Sequence, residues 1–488
     1  MKIQKRFIIP LIIILIMVNP VTVFADENVP YDTYNYDYWE NIYYTPAAYL
    51  PGDSYSGIDV GTTAWNNPQD FYVAEDDRIY VADTGNNRIV VLDKDMKLDH
   101  IIEGFTNNGA QDTFDAPSGV CVTSKNEVYI ADTNHLRIVV LDEQGTLLKT
   151  ISDPKSEVLE EGFVFTPLRV IVDYADRVYV IAKNMFQGIM AFDSNGEFTG
   201  FSGTIKVQIT PYEKLWRRLS TKAQRSRQSQ FIPTEFTGLD IDPDGFLYAT
   251  NIDSAGEQSI RRLNPKGQDV IKKNSTGTPL SGDLWFTIMG DYSGASRIVD
   301  IAYRENGIYS AIDTTRGRIF TYDHEGNLLY IFGGRGSQRG TFKNPVAIEA
   351  VGNTILVLDA SRAEIMTFTE NEYGKLINEA VALRYDGDET AAVEIWKKVL
   401  NLDSNFELAY VGIGKAYLAS GENKLAMKYL KLGMNREYYS IAFKRYRNEI
   451  LKENLGYILT GGTILIASYY TFKLVKRYRK YRKGKVQQ

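Results

Sequence analysis

The sequence predicts a mainly β chain: a six-bladed β-propeller, then a small all-α segment and one transmembrane helix. Three observations carry this. The run Ile79-Tyr-Val-Ala-Asp-Thr-Gly-Asn-Asn-Arg-Ile-Val-Val-Leu-Asp93 returns 49 residues later as Val128-Tyr-Ile-Ala-Asp-Thr-Asn-His-Leu-Arg-Ile-Val-Val-Leu-Asp142, and weaker copies begin at Val178, Leu247, Ile308 and Ile355. Beyond residue 372, small residues recur at a spacing of 34, a period suited to paired helices. Near the C-terminus, the 19 residues from Asn454 to Phe472 carry no charge.

Composition sets the outer limits. A chain of 488 residues has room for about three domains of roughly 150 residues each. Its 44% apolar and 24% charged content is that of a globular protein, which excludes disordered and collagen-like classes. Residues 26–372 hold 31 basic against 50 acidic side chains, and such an acidic body argues against nucleic-acid binding, which relies on neutralising phosphates. A single cysteine, Cys121, permits no internal disulfide, and three histidines leave little for zinc chemistry. Neither a cofactor nor a metal is expected.

The elements follow in chain order. Lys2, Lys5 and Arg6 precede an apolar run from Phe7 to Val18, and Val23-Phe24-Ala25 offers small residues before Asp26, so residues 1–25 read as an export signal cut after Ala25. Twelve apolar residues reach about 18 Å as a helix, short of the roughly 30 Å hydrocarbon core. Residues 26–45 form a Tyr-rich leader in which Tyr31, Tyr34, Tyr36, Tyr38, Trp39, Tyr43 and Tyr44 either stack on sugars or wrap the propeller, and wrapping is the preferred reading.

Residues 46–372 supply the propeller. Each copy is two short β-branched or aromatic runs joined by a polar turn, as in paired antiparallel strands, and four-stranded sheets repeated radially make blades. The Tyr-Val-Ala-Asp-Thr-x-x-x-x-Arg pattern resembles the NHL-repeat family over roughly residues 45–370, most specifically in blades 1 and 2. No fourth strand fits after Glu364 to Thr369 in blade 6, so the missing edge is expected from Ala47 to Ser56, closing the ring. The Asp and Arg of the motif are read as structural, with Asp83 paired to Arg88, Asp132 to Arg137 and Asp313 to Arg318. Blade 3 is expected to place Lys183 and Gly188 in these slots, blade 4 Thr250 and Ser259, and blade 6 Asp359 and Glu364.

The turn between strands two and three emerges on the same face as the connection to the next blade. The long insertions, 203–235 and 274–296, therefore crowd the face that carries the altered turns at Lys183 and Thr250. In the first insertion Lys214, Arg217, Arg218, Lys222, Arg225 and Arg227 suggest a basic helix for an anionic partner, or a surface helix paired to the propeller's own carboxylates.

After the propeller, Ala380, Gly387, Ala392 and Trp396 align with Gly414, Gly421, Ala426 and Leu430. This resembles the tetratricopeptide repeat, with two copies inside a helical segment at 373–453. The resemblance implies peptide or protein binding. Two copies fall short of the three needed for independent stability, so packing on the propeller, a partner or a capping helix from 439 onward is expected. The uncharged stretch predicts a span over 454–474. The tail from 475 onward is basic, which by the positive-inside rule puts the C-terminus in the cytoplasm and the rest outside.

The functional expectation is a membrane-anchored, extracytoplasmic binding or scaffold protein, not an enzyme, whose partner is a protein, a glycan or an anionic envelope polymer. Six-bladed relatives include calcium-dependent lactonases and a zinc lyase, so a lactonase-like, gluconolactonase-type hydrolase is the first alternative. An accessory subunit of an envelope or carbohydrate-uptake complex is the second. His100, His135 and His324 fall on different strands and turns and form no zinc triad.

Overall fold

The computed structural model describes residues 29–107, 109–159, 162–204, 235–253, 258–273, 280–283 and 294–485. The expected signal segment, and the basic side chains Lys214, Arg217, Arg218, Lys222, Arg225 and Arg227, lie outside these residues.

Six antiparallel sheets form the ring. Blade 1 runs from its inner strand Asp70–Val73 through Ile79–Asp83 and Arg88–Leu92 to the outer strand Leu98–Ile102. Blades 2, 3 and 5 repeat this order, starting at Pro117–Val122, Pro167–Val172 and Ile298–Tyr303. Among the described residues blade 4 has three strands, Phe236–Ile241, Leu247–Asn251 and Ile260–Leu263. The second strand of each of these blades is buried on both faces because neighbouring blades cover it. This burial makes it read as a continuous run without polar alternation.

The sixth blade is closed from the other end of the chain. Pro345–Val351, Thr354–Asp359 and Glu364–Glu370 take Tyr49–Ser56 as their outer strand, with Glu364 opposite Ser56 and Glu370 opposite Tyr49. Tyr49 is fully buried and its ring stacks on Phe332 with centroids 4.8 Å apart. The expected closing segment is thus the observed one, and it removes an unpaired sheet edge.

The motif aspartates tie each blade to the connection that precedes it. Asp83 accepts the Asn66 N–H at 2.7 Å and Arg88 Nε at 2.8 Å. Asp132 accepts the Asp115 N–H and Arg137 Nε, both at 2.8 Å. In blade 5 the expected pairing of Asp313 with Arg318 does not form. Asp313 accepts the N–H groups of Arg297 and Thr315 at 2.8 Å, while Arg318 lies over the Tyr34 ring at 4.7 Å and donates to the Asp32 carbonyl. The leader covers this corner and takes the guanidinium.

Strand register corrects two further expectations. Ala182 sits opposite Pro167 as Asp132 sits opposite Pro117, so Ala182, not Lys183, fills the Asp slot of blade 3. In blade 4 Asn251 fills it, opposite Phe236, and Thr250 is one residue earlier. Matching alanine to alanine in the sequence slips the register by one residue, which moves a side chain to the other face.

Five helices follow: α1 (Glu372–Tyr385), α2 (Glu389–Leu402), α3 (Glu407–Ala419), α4 (Asn423–Leu432) and α5 (Arg436–Lys485). Asn371 caps α1 by accepting the Gly374 N–H at 3.1 Å, and Asp388 caps α2 through the Ala391 N–H at 3.0 Å. Gly387 and Gly421, just past the ends of α1 and α3, have φ of 85° and 83°, where a side chain would be strained. Gly412 lies against the buried Trp396 indole and Gly414 against Leu430, so the small residues allow close helix approach.

The helices do not stand apart from the ring. One apolar cluster runs from Phe332, Phe342 and Phe368 of blades 5 and 6 through Tyr373 and Ile377 to Trp396. Polar groups reinforce it: Arg304 donates to the hydroxyls of Tyr330 and Tyr49 at 2.8 and 2.6 Å, and Tyr330 donates to Asn378 Oδ1 at 2.7 Å. Packing on the propeller is thus realised. At its N-terminal end α5 packs on α4, and Arg445 donates to the Leu418 carbonyl of α3 at 3.1 Å. Its remainder is exposed and is long and apolar enough to cross a membrane.

Candidate functional site

Polar side chains gather at the ring axis, and a cleft opens at the side of the ring. At the axis, register puts Asp70, Gly119, Arg169, Gly238, Asp300 and Ala347 at equivalent places on the six inner strands. Blades 1, 3 and 5 carry charge there and blades 2, 4 and 6 a small residue, which leaves room for the longer side chains. Arg169 pairs with Asp70 and donates to the Val346 carbonyl at 2.8 Å. Asp70 accepts the Val120 N–H at 3.1 Å and Asp300 the Ile348 N–H at 2.9 Å, each on the next blade. These contacts fasten blade to blade.

Two residues further along lie Tyr72, Cys121, Asp240 and Glu349. Burial, with the charges of Asp300 and Asp242 added, pushes the Asp240 carboxyl up to about 7, against the N–H groups of Tyr303 and Ile241. Burial raises Asp300 to about 6, with Arg169 restraining it, and lifts Glu349 well above the usual carboxylate range, helped by Asp240 and Asp300. Burial also pushes the Cys121 thiol up to about 12, so it is not a nucleophile at neutral pH. Among the described residues, no three His, Cys, Asp or Glu side chains gather in a way that would hold a metal.

The cleft has a volume of about 940 Å³ and opens where the leader, blade 5 and the helices meet. The leader forms a hairpin, Tyr34–Tyr36 paired with Ile42–Tyr44. It is held to blade 5 by Asn35 Nδ2 donating to the Leu329 carbonyl at 3.1 Å, and to Tyr49 by the Tyr31 hydroxyl at 3.2 Å. Asp37 orders the hairpin tip by accepting the N–H groups of Trp39 and Asn41 at 2.8 Å. The leader therefore wraps the propeller, as preferred from sequence, while Tyr36, Tyr38 and Tyr43 also face the cleft.

Opposite stand Phe406, Val411 and Lys415 at and within α3, and Tyr438 near the start of α5. Glu325, in the turn between the third and fourth strands of blade 5, joins the two sides: Arg384 reaches it at 2.8 Å and Lys415 at 3.0 Å. Burial pushes the Glu325 carboxyl up, yet Arg384 and Lys415 outweigh burial and bring it down to about 2.

Of the residues expected to bind a partner, Lys183 and Thr250 lie among the described residues. Lys183 is exposed, but Thr250 is fully buried, with its Oγ1 2.9 Å from that of Thr237, so it cannot touch a partner. The structure keeps the histidines apart: His100 pairs with Asp99 on an outer strand, His135 with Asp132 in a turn, and His324 lies against Tyr385. Sequence alone singles out neither the axial charges nor the cleft. The axis could have been found by aligning the first strands, where charged and small residues alternate; the cleft left a signal only in its leader tyrosines.

The NHL repeat family model matches residues 66–92 and 114–141, which cover the first three strands of blades 1 and 2. No curated protein matches the chain. Among solved structures, a streptogramin B lyase is 12% identical with a TM-score of 0.39, covering 70% of this chain and 87% of its own. Virginiamycin B lyase from Staphylococcus aureus is 13% identical with a TM-score of 0.38, covering 70% and 88%. A putative gluconolactonase is 13% identical with a TM-score of 0.39, covering 67% and 94%. Likeness at this level says nothing of chemistry. The chain carries NHL repeats within a six-bladed β-propeller that continues into a C-terminal helical segment.

Proposed function

We propose that this chain is a membrane-anchored binding protein that presents its propeller and helices outside the cell as one body. The observation that carries the reading is the side cleft, built from three parts of the chain that are distant in sequence and fixed by a shared core. A cavity of this size belongs to ligand sites, which span roughly 300–1,000 Å³. Anchoring is supported by the apolar part of α5 and the basic residues after it. The 34-residue period and the close approach at Gly412 and Gly414 support reading α1 to α4 as a tetratricopeptide-like pair. The partner is a protein or an envelope glycan.

A crosslinking pull-down from intact cells tests this. Lys272 and Glu437 are exposed at the cleft, and changing both to Trp fills it without touching the core. Partner recovery should fall to background while the melting temperature holds. Full recovery by the folded double variant would overturn the reading.

One observation favours a second reading, a lactonase-like hydrolase. Burial raises the Asp240 and Glu349 carboxyls, which lie at equivalent places on the inner strands of blades 4 and 6, in the direction that suits a general acid. Turnover of a lactone panel, lost on Glu349→Gln, would establish it.

A further inference from the structure

Resting on the proposal that the side cleft is a binding site, we infer that its ligand is a neutral oligosaccharide, held against the tyrosines of the leader hairpin and of α5.

The first argument is the character of the walls. Tyr36, Tyr38, Tyr43 and Tyr438 surround the cavity, with the buried Phe406 behind them. Aromatic faces are flat and apolar, and phenol hydroxyls are polar at the edge. That combination suits a pyranose, whose ring faces are C–H and whose rim is hydroxyl. The aromatic surface continues outward: Trp39 is 64% exposed, edge-on to Tyr38 with centroids 5.0 Å apart, and Tyr44 is 74% exposed. These rings extend the aromatic surface of the hairpin beyond the cavity lining.

The second argument is charge. Four basic and five acidic side chains line the cavity, so it offers no strong net field to an anionic polymer. Several are already committed. Lys415 pairs with Glu325, and the Arg436 guanidinium lies over Tyr38 at 5.6 Å. Carboxylates such as Glu40 and Glu437 remain on the lining as acceptors for sugar hydroxyls.

The third argument separates a sugar from an extended peptide. A peptide brings a row of N–H and C=O groups best satisfied by a strand edge. Here α3 and α5 form much of the wall, and helices satisfy their backbone groups internally. Hydroxyls, in contrast, need side-chain partners, and the cleft supplies those. A cavity of about 940 Å³ has room for several sugar units.

The test uses the full chain in detergent, titrated with neutral glucose, mannose and N-acetylglucosamine oligosaccharides of roughly four to six units, followed calorimetrically and by tryptophan fluorescence as a report on Trp39. At least one series should bind, with affinity little changed by added salt because no charge pairing drives it. Tyr38→Ala and Tyr438→Ala should each weaken binding roughly tenfold, about 1.4 kcal/mol, while Tyr438→Phe keeps the stacking face and stays near wild type. If no series binds, or an acidic polysaccharide binds far more tightly and in a salt-sensitive way, the inference is overturned. A protein partner still captured from cells, and lost on filling the cleft with Trp, would then leave the binding-site reading intact. Loss of both would remove the two together.

Discussion

Replacing Glu325 by glutamine removes the carboxylate that faces both Arg384 and Lys415 across the junction of propeller and helices. The Arg384 side chain is 4% exposed and that of Lys415 13%, so neither cation recovers its hydration when the carboxylate is gone. The magnitude follows from proton binding. The carboxyl moves from its ordinary value of 4.5 down to about 2 on folding. At about 1.4 kcal/mol for each tenfold change in proton affinity, this gives a contribution on the order of 3 kcal/mol at neutral pH, within the range for breaking a buried pair. The sign is that of a depressed acid: the stabilisation is complete above the ordinary value of 4.5 and is lost as pH falls toward 2. Denaturant unfolding of wild type and Glu325→Gln at pH 7 should differ by about 3 kcal/mol, and the gap should narrow steadily as the medium is acidified. Making the trio apolar, through Glu325→Leu, Arg384→Met and Lys415→Met together, should recover most of the loss, because apolar replacements leave no unpaired charge. A difference below about 0.5 kcal/mol at pH 7, the size of a surface effect, would refute the claim that this contact joins the two parts.

Further outcomes are expected. Asp240 is a raised acid, so its contribution is present at low pH and is lost as pH rises from about 4 toward 7; Asp240→Asn should gain in melting temperature relative to wild type across that interval, and a constant difference would contradict it. Deleting residues 47–56 removes the outer strand of blade 6, and the loss should exceed the roughly 0.5–3 kcal/mol typical of point changes; an unchanged melting temperature would count against closure by this strand. Changing Gly238 to Val would drive a side chain into Asp300 at the axis and should destabilise by roughly 1–3 kcal/mol, measured by denaturant unfolding. External protease on intact cells should release the propeller and leave a fragment from about residue 455 onward; labelling of a tag at Gln488 from outside would reverse the orientation.

The legible parts of the sequence were those where burial repeats. Val81 and Val90, like Ile130 and Val139, are covered on both sides by neighbouring blades, and such positions leave the same apolar pattern in each copy. The closing strand is legible from the strand count of blade 6, and the ends of α1 and α3 from Gly387 and Gly421. The Asp slots of blades 3 and 4 are not legible, because only hydrogen-bond register distinguishes Ala182 from Lys183 and Asn251 from Thr250. The cleft was hidden for another reason. Its walls come from residues around 36, 325, 411 and 436, and no local pattern records that they meet. Glu325 in particular reads as an ordinary turn residue after Asp323, whose carboxylate accepts the Glu325 N–H at 2.9 Å; its two cationic partners are set by tertiary packing.

The closing strand also imposes an order of events in time. Asp53, whose carbonyl accepts from Thr367, precedes it by 314 residues. At a synthesis rate of about 5–20 residues per second, the N-terminal strand waits on the order of 15–60 s before its partner exists. Through that interval its backbone donors and acceptors lack their partner strand, and unpaired edges recruit other strands. The ring is therefore a late product of translation, most exposed to misassociation just before its last blade emerges. Newly made chains stalled ahead of residue 364 should then aggregate more readily than chains stalled beyond the end of α2.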